Sequence, residues 1–394
     1  MPEKAGAAGA APNGPREGRG PEAEIRRRIE ASGPITFAEF MEVALFWPDG
    51  GYYTSGRETW GPGGDYFTNV DISPLFATML AKQVHEMWLL LGSPGDFTLV
   101  EAGAGRGLLT EGILSAVRSR YPELASALKA VLVEKNPNLR RPPEEGVVWR
   151  EEIGGIDPGF EGCILSNELI DSFPVHRVRL LSGSLKELYV GCDGARFVDL
   201  AGEPSTPALA GYLRDAGVGL AEGQTTEINL RAGPWIAEAA GLLSKGFVIT
   251  VDYGWPAREL YGPDRMRGTL MCHYRHTIND DPYTNIGDQD ITAHVDFTTL
   301  AAAGRRAGLE LTGFTTQKNM LLGMGITEEF GGVESLDIAD IERVRFNQSV
   351  KELIMPGGPG DVFKVLVQHR GIERPALAAF SFRDMSPTLL ASGR

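Results

Sequence analysis

The sequence predicts an α/β protein built on a doubly wound, mainly parallel β-sheet. After residue 92 the chain alternates short apolar runs, such as LKAVLVEKN and KGFVITVDYG, with helical stretches. This rhythm is typical of buried parallel strands joined by helices. Near the end, GLELTGFTTQ and VFKVLVQHR fit the antiparallel edge that such sheets often carry. Both observations favour one large sheet with helices on its two faces.

The chain length and two interruptions of this rhythm predict the domain organisation. A length of 394 residues allows two domains, or one large domain with insertions. Thr36 and Glu39 form a capping-box pattern for a helix within the mostly helical N-terminal region. The expected parts are a disordered tail (1–22), a helical N-terminal region with a long covering loop (23–95), the sheet domain (96–370) with insertions over the carboxyl edge of the sheet (about 179–230 and 255–290), and a C-terminal tail (371–394).

Composition and charge argue against several kinds of partner. The net charge of −14 disfavours nucleic acid, whose phosphates need clustered cations, and suits cationic substrates or simple solubility. No apolar run approaches the roughly 20 residues that a membrane span needs. Cys163, Cys192 and Cys272 are widely spaced, so we expect free thiols in a reducing compartment and no metal site.

A glycine loop follows the first predicted strand of the sheet. In LVEAGAGRGLL, Gly103, Gly105 and Gly107 would allow a tight turn that a ligand approaches closely. A dinucleotide fingerprint beginning at Gly103 would need glycine where Leu108 stands. Glu101 at the end of the strand would repel a diphosphate and attract the ammonium and sulfonium of S-adenosylmethionine, which favours that cofactor over NAD. The alternative is an ordinary tight strand-to-helix turn.

Acids also follow the next two predicted strands. Glu134 is placed to accept hydrogen bonds from two ribose hydroxyls, a role that indicates a nucleoside without identifying it. Glu152, before Ile153, is a candidate partner for an adenine amino group. Glu151 and Glu152 are hard to separate, and a solvated pair of charges is the alternative.

The fourth predicted strand, GCILSNEL, ends beside the point where a ligand would lie. Asn167 and Glu168 would face a methyl donor and its acceptor. Glu168 and Asp171, three residues apart, could together hold a guanidinium and remove its proton if the turn is helical. The alternative is that both acids cap the following turn. His176 is a further candidate proton acceptor, or a packed side chain.

Several segments resemble one family in their order along the chain. They are GYY, GGDYFTNVDISPLF, LVEAGAGRGLL, SNELIDSFPVHRV, TVDYG, GTLMCHYRH, GDQDITAHVDFTTL and FKVLV. The same order occurs in the MidA family, the mitochondrial complex I assembly methyltransferases and their bacterial relatives. The resemblance runs from about Ile35 to Val367, and NELIDSFPVHR and DITAHVDF are its most specific parts.

The resemblance implies a class I methyltransferase with a Rossmann-like sheet, S-adenosylmethionine as cofactor, and dimethylation of an arginine on a respiratory complex I subunit. The residues that it would place at the donor are Glu101, Gly103, Gly105, Glu134 and Asn167, with Glu168 at the catalytic end. The GGDYFTNVDISPLF and DITAHVDF segments would cover the site. His294 and Asp296 become candidate substrate contacts, or else they stabilise the insertion.

Two departures and two alternatives accompany the resemblance. Ala104 stands where relatives commonly have proline, and no mitochondrial presequence precedes the helical region, so we expect a bacterial cytoplasmic protein. Fold and cofactor can be shared while acceptors differ. The competing functions are an assembly chaperone that binds S-adenosylmethionine structurally, and a methyltransferase of a small molecule. The apolar helix MLAKQVHEMWLLL could serve a homodimer as well as a core.

Overall fold

The structure is a computed structural model that describes residues 19–56, 74–142, 145–333, 351, 353–355 and 357–390. The covering-loop prediction falls largely on residues 57–73, outside the described residues. So does most of the predicted N-terminal tail.

The strands are β1 (Ile35–Thr36), β2 (Phe97–Ala102), β3 (Leu128–Val133), β4 (Val147–Arg150), β5 (Phe160–Asn167), β6 (His176–Leu181), β7 (Ser184–Asp193), β8 (Arg196–Gly202), β9 (Thr225–Ile228), β10 (Leu243–Trp255), β11 (Met271–Tyr274), β12 (Thr277–Asn279), β13 (Asp290–Thr292), β14 (Val295–Asp296), β15 (Glu310–Thr316) and β16 (Phe363–Arg370).

The helices lie mainly between these strands and in the N-terminal region. They are α1 (Pro21–Ser32), α2 (Phe37–Phe46), α3 (Pro74–Leu90), α4 (Leu108–Arg120), α5 (Pro122–Ala127), α6 (Ala208–Asp215), α7 (Ala232–Leu242), α8 (Ala257–Leu260), α9 (Phe297–Arg306), α10 (Gln317–Gly323), α11 (Ile326–Val333), α12 (Pro359–Val362) and α13 (Pro387–Leu390). Among the described residues, no helix combines the length and apolar character needed to cross a membrane.

The central sheet has the strand order β15-β16-β10-β5-β2-β3-β4. Strands β4, β3, β2, β5 and β10 run parallel, and β16 is antiparallel to both β10 and β15. The chain moves outward from β2 to β4 and then returns to β5 on the other side of β2. This reversal opens a crevice at the carboxyl ends of β2 and β5, where ligands bind in such sheets. The predicted sheet and its antiparallel edge are confirmed.

The core forms because apolar side chains alternate between the two faces of the sheet. Phe97 and Leu165 face the helices α3 and α4, whereas Val100 and Ile164 face α7 and α9. Most apolar residues of α3 lie in the first of these layers. The homodimer stays a prediction.

A second, antiparallel sheet joins the N-terminal region to the first insertion. Its order is β1-β7-β6-β9, with β8 paired to β7. The β7–β8 hairpin turns at Gly194, since Asp193 pairs with Arg196. Since β1 pairs with β7, two regions that the sequence separates share one sheet. The second insertion carries the small sheet of β11, β12 and β13.

Both ends of the described chain are more ordered than the sequence predicts. Helix α1 begins at Pro21, inside the segment expected to be a disordered tail. The C-terminal segment 371–390 also packs on the domain, since Leu377, Ala379 and Leu389 are buried. The reason is that scattered apolar residues of this segment reach the core, whereas their spacing has no strand or helix period.

The predicted capping box at the start of α2 is confirmed. The Glu39 backbone N–H donates to Thr36 Oγ1 over 3.2 Å, and the Thr36 N–H donates to Glu39 Oε2 over 2.9 Å. These bonds satisfy two backbone donors and fix where α2 starts. Helix α2 in turn brings Phe46 to the crevice of the central sheet.

Candidate active site

A cavity of about 480 Å³ lies at the carboxyl ends of β2, β3 and β5, within the usual size range of small-ligand sites. Its floor is the glycine loop after β2 and the residues that follow β3 and β5. One wall is apolar, where Phe173 and Trp235 meet edge to face with ring centroids 6.4 Å apart. The predicted site residues that line it are Glu101, Gly103, Gly105, Glu134, Glu152, Asn167 and Glu168.

The glycine loop has the geometry that its sequence predicts. Gly103, Gly105 and Gly107 have φ values of 73°, 52° and 75°, a region that other residues enter at a cost. A Cβ on Gly103 would lie 2.8 Å from Leu169 Cδ1. The N–H groups of Gly103 and Ala104 both donate to the Val133 carbonyl over 2.9 Å. The loop is thus held against β3 and leaves room for a ligand.

Glu101 lines this cavity from the end of β2 and is almost fully buried. Thr110, in the first turn of α4, donates its backbone N–H and its hydroxyl to Glu101 Oε2. Burial nevertheless raises the pKa of Glu101 to about 7, against the opposing effect of these hydrogen bonds. A cation beside this carboxylate would stabilise its charged form.

Glu134 follows β3 and is held by two backbone donors. The Gly105 N–H donates to Oε2 over 2.9 Å, and the Asn136 N–H donates to Oε1 over 2.7 Å. Burial raises the pKa of this carboxyl group, while these bonds act in the opposite direction. The glycine loop and the predicted ribose acid are therefore directly connected, which the sequence did not indicate.

Glu151 and Glu152 both line the cavity, as does the buried Ile153. Glu151 lies 3.6 Å from the Arg140 guanidinium in an exposed ion pair. That Glu152 meets an adenine amino group stays a prediction. Trp235 was not predicted as a site residue from the sequence, because it lies on α7, more than 60 residues after β5.

Asn167 and Glu168 lie at the end of β5 and face the cavity. Asn167 Nδ2 donates to Glu168 Oε1 over 3.1 Å. Asn167 Oδ1 is buried without a hydrogen-bond partner among the described residues, which makes it an acceptor for a ligand N–H or O–H. Glu168 has a φ of 52°, and its N–H donates to the Val251 carbonyl over 3.0 Å.

The left-handed backbone of Glu168 corrects the prediction of a carboxylate pair. That prediction required a helical turn, which would place residues three apart on one face. The helical turn begins only at Ile170, so Glu168 faces the cavity while Asp171 does not line it and is 5% exposed. Asp171 lies behind the surface of the site.

Asp252, on β10, was not predicted as a site residue from the sequence. It explains the shape of this turn. Its Oδ2 accepts the backbone N–H groups of Leu169, Ile170 and Asp171 over 3.2, 2.9 and 3.4 Å. The Asp252 carboxylate on β10 thus binds the turn that follows the neighbouring strand, β5. The only available signal was an acid directly after the apolar run of β10.

Asp171, Asp252 and Asp290 form an acid cluster behind Glu168. Burial raises the pKa of Asp171 well above its usual value, and the charges of Asp252, Asp290 and Glu168 raise it further. Burial raises the pKa of Asp252 to about 7. Such mutual repulsion favours a positive ligand nearby, because a cation lowers the energy of every ionised carboxylate around it.

The two candidate substrate contacts on the insertion lie outside the cavity lining. Asp296 caps α9, since its Oδ1 accepts the N–H groups of Thr298 and Thr299. Its pKa is raised to about 6 by burial. His294 Nδ1 accepts a hydrogen bond from Trp255 Nε1 over 3.1 Å, and burial lowers its pKa to about 4. These contacts agree with the alternative that both residues stabilise the fold.

The remaining predictions concern His176 and the cysteines. His176 Nδ1 lies 2.7 Å from Glu187 Oε1 in the second sheet, away from the cavity lining, so its contacts agree with the packed alternative. Cys163, Cys192 and Cys272 are free thiols, as predicted. Within the described ranges, no group of three or more His, Cys, Asp or Glu side chains could hold a metal ion.

The cavity fits a nucleoside with a cationic tail. Glu134 can accept from two hydroxyls, the apolar wall can cover a base, and Glu101 can attract an ammonium or sulfonium. Asn167 Oδ1, buried and without a partner, points to a polar ligand group at the end of β5. The fold and this donor set together define an S-adenosylmethionine-dependent methyltransferase of class I.

Comparison with known proteins identifies the family. Residues 79–315, more than half of the chain, match the family model described as "Putative S-adenosyl-L-methionine-dependent methyltransferase". The chain belongs to this family. It is 30% identical over 340 residues to the protein arginine methyltransferase NDUFAF7 of Rattus norvegicus, covering 76% of this chain and 72% of that one. The homologue of Danio rerio is 27% identical and covers 86% and 84%.

Solved structures support the same assignment. A COG1565 superfamily member from Burkholderia thailandensis, crystallised with S-adenosylhomocysteine, is 33% identical with a TM-score of 0.84, and the match covers 93% of this chain and 96% of that chain. A native structure of a COG1565 superfamily protein from the same bacterium is 32% identical with a TM-score of 0.79 over the same shares.

Proposed function

We propose that this methyltransferase transfers the methyl group of S-adenosylmethionine to an arginine side chain of a protein. The observation that carries the proposal is the acid cluster of Asp171, Asp252 and Asp290 behind Glu168, at the end of the cavity that Asn167 lines. A permanently charged guanidinium is the protein side chain that such a cluster would bind most strongly. The names of the NDUFAF7 relatives agree with it.

The reaction needs a proton acceptor as well as alignment. The cofactor, when bound, supplies a methyl group on a sulfonium: the new bond joins that carbon to a guanidinium nitrogen, the carbon–sulfur bond breaks, and its electron pair stays on sulfur. One proton must leave the nitrogen, because the methylated guanidinium again carries one positive charge. Proton transfer to a positioned side chain typically contributes about 100- to 10,000-fold to such steps.

Glu168 is the residue that we assign to this proton. Its carboxylate faces the cavity, and its position is fixed by the left-handed backbone and by the hydrogen bond to Val251. Asn167 Oδ1 would accept a hydrogen bond from a second N–H of the guanidinium and so orient it. Asp171 stays behind Glu168 and supplies negative potential rather than contact.

Three chain segments would hold the cofactor. Glu101 and the glycine loop lie where the amino-acid end would bind, and Glu134 lies where the ribose would bind. Phe173 and Trp235 would shield the base and exclude water, which strengthens the electrostatic interactions inside the site. An acceptor on a complex I subunit-like protein follows from the family resemblance and is part of this proposal, as is a bacterial cytoplasmic location.

Mass spectrometry of arginine methylation tests this proposal in cells. We would compare cells that carry the native gene, no gene, or a gene with Glu168→Gln. We expect at least one methylated arginine to disappear both without the gene and with Glu168→Gln. Because a chaperone would still act with Glu168→Gln, loss in the deletion alone would favour the chaperone function. No change in any arginine mark would contradict the proposal, and a small-molecule acceptor would then be sought.

A further inference from the structure

The turn after α2 forms part of the cavity wall and is built to hold one tyrosine in place. Phe46, Tyr53 and Thr54 line the cavity. Gly51 allows the turn to close, since a Cβ there would lie 2.5 Å from the Trp47 backbone nitrogen. The Tyr53 N–H donates to the Leu45 carbonyl over 2.9 Å, and the Tyr53 ring stacks on Phe46 with centroids 5.5 Å apart.

The backbone of Tyr53 is linked to the predicted ribose site. Asn136 Nδ2 donates to the Tyr53 carbonyl oxygen over 2.7 Å. The backbone N–H of the same Asn136 donates to Glu134 Oε1 over 2.7 Å. Asn136 is 4% exposed, so this connection is shielded from water. Asn136 therefore contacts both Glu134 and Tyr53.

The side chain of Tyr53 is linked to the acid cluster. Its hydroxyl donates to Asp290 Oδ1 over 2.9 Å, and Asp290 is 1% exposed. Asp290 is one of the charges that act on Asp171. The strand that Asp290 begins, β13, leads to Ala293, whose N–H donates to the Asp171 carbonyl over 2.9 Å. Tyr53 thus contacts both Asn136, beside the predicted ribose acid, and Asp290 of the acid cluster.

We propose that Tyr53 is a positioning residue that couples cofactor binding to acceptor binding. This inference rests on the proposed function. Cofactor bound against Glu134 would fix Asn136 and the turn that carries Tyr53. The Tyr53 hydroxyl would then hold Asp290 in the orientation that completes the negative potential for a guanidinium. Coupling between two sites is reciprocal, so the acceptor also strengthens cofactor binding.

Calorimetry measures this coupling directly. The probe is the peptide that carries the arginine identified by mass spectrometry, titrated with and without saturating S-adenosylhomocysteine. We expect the native enzyme to bind it about 5- to 150-fold more tightly with the cofactor product, which is the usual range of such coupling. Tyr53→Phe should bring this ratio close to 1. Its affinity for S-adenosylhomocysteine alone should change by less than about 3-fold, because the carbonyl link to Asn136 remains.

Tyr189→Phe is the matched control, since it removes a hydroxyl that donates to the Glu203 carbonyl on the outer hairpin. It should leave the ratio unchanged. Asp290→Asn should lower the ratio as Tyr53→Phe does, because it removes the charge that the Tyr53 hydroxyl orients. The double variant should be no worse than Asp290→Asn alone, since Tyr53 acts through Asp290. An unchanged ratio in Tyr53→Phe would overturn the coupling. If Tyr53→Phe lowered thermal stability and cofactor affinity but kept the affinity ratio, its role would be structural, and the coupling would again be overturned. If the native enzyme neither methylates nor binds the arginine peptide, the proposed function fails as well.

Discussion

The two ends of the cavity use carboxylates in opposite ways. At the cofactor end, Glu101 and Glu134 accept hydrogen bonds from the backbone N–H groups of Thr110, Gly105 and Asn136. Behind the proposed acceptor end, burial and the charges of neighbouring carboxylates raise the pKa of Asp171. The first arrangement fixes acceptor atoms for hydroxyl and ammonium groups. The second gathers acids whose ionised forms a bound cation would stabilise.

Asp252 shows that this contrast is not simply one of burial. It lies in the acid cluster and is fully buried, yet it accepts four backbone N–H groups, from Leu169, Ile170, Asp171 and Tyr253. Asp252 therefore positions the turn, while Glu168 faces the cavity. Within one cluster, the number of backbone donors separates a structural acid from a candidate catalytic one.

The largest expected effect concerns the acceptor end. Glu168→Gln should lower kcat by roughly 100-fold or more, because the amide has almost the same shape and cannot take the proton. Affinity for S-adenosylhomocysteine, measured by calorimetry, should stay within about 3-fold. Glu161→Gln makes the same change near the amino end of β5 and should have no effect. Normal turnover in Glu168→Gln would return this residue to a role in capping the turn.

The glycine loop gives the next largest effect, at the cofactor end. Gly103→Ala should weaken S-adenosylhomocysteine binding by about 5- to 30-fold, since a left-handed conformation costs a residue with a Cβ about 1–2 kcal/mol. Its φ is 73° and the Cβ would approach Leu169. Gly95→Ala is the control, because a Cβ there meets nothing within 4 Å. Equal affinities in the two variants would show that the loop tolerates a side chain.

The pH dependence of cofactor binding tests Glu101. With a pKa raised to about 7, Glu101 is mostly neutral at pH 5.5 and half ionised at pH 7. Because a cation prefers the ionised form, S-adenosylmethionine affinity should rise about 10-fold over this interval. An α-amino group titrates at about 7.7–8.0, so the ligand stays charged. Glu101→Gln should remove the rise, whereas Glu111→Gln, whose side chain on α4 is exposed, should retain it.

The same raised pKa sets the sign of the stability effect of Glu101. Its folded pKa, about 7, exceeds the usual value of 4.5. Its contribution to the free energy of unfolding is therefore fully present below about pH 4.5 and is lost as the pH rises through about 7. Thermal unfolding of the ligand-free protein should show native and Glu101→Gln protein diverging over this window, in favour of the variant at high pH. A constant difference would contradict the assigned pKa.

The smallest expected effect compares the two buried aspartates. Asp171→Asn removes repulsion, so at pH 8 its melting temperature should equal or exceed that of the native protein. Asp252→Asn should lower the melting temperature by a few degrees. The asparagine has one oxygen in place of the two that accept backbone N–H groups, and an unsatisfied N–H costs about 1–3 kcal/mol. At pH 4 the advantage of Asp171→Asn should vanish, because its raised folded pKa destabilises the protein only when the group ionises. Equal losses in both variants would remove the distinction.

The sequence predicts the strands, the glycine loop and the acids near the strand ends, for a physical reason. Buried strands, the glycine loop and the acids that follow each strand are local patterns, and parallel strands bring their carboxyl ends together whatever the connections contain. Glu101, Glu134 and Asn167 therefore line the cavity as predicted. The hydrogen bond between Gly105 and Glu134 was not predicted, because it depends on the orientation of one side chain.

The acceptor end depends on contacts between distant residues, so it could not be predicted in the same way. Asp252 binds a turn more than 80 residues earlier, and nothing in the sequence shows that Glu168 adopts a left-handed conformation. Tyr53 meets the acid cluster through a hydrogen bond to Asp290, a residue 237 positions later in the chain. The family resemblance identifies the segments of the chain that contribute to the site, but it does not show which atoms of these segments are in contact.

Comparing the affinities of an arginine peptide and a peptide with a neutral isostere of arginine tests most directly the claim that the acid cluster recognises the acceptor. Calorimetry would compare the identified arginine peptide with the same peptide carrying citrulline, each added to the enzyme saturated with S-adenosylhomocysteine. Citrulline keeps the shape of the side chain and removes its charge, and its urea oxygen replaces an N–H donor. If the acid cluster holds a guanidinium, the arginine peptide should bind at least about 10-fold more tightly, the effect of about 1.4 kcal/mol. Equal affinities would contradict the claim that these buried carboxylates recognise the acceptor.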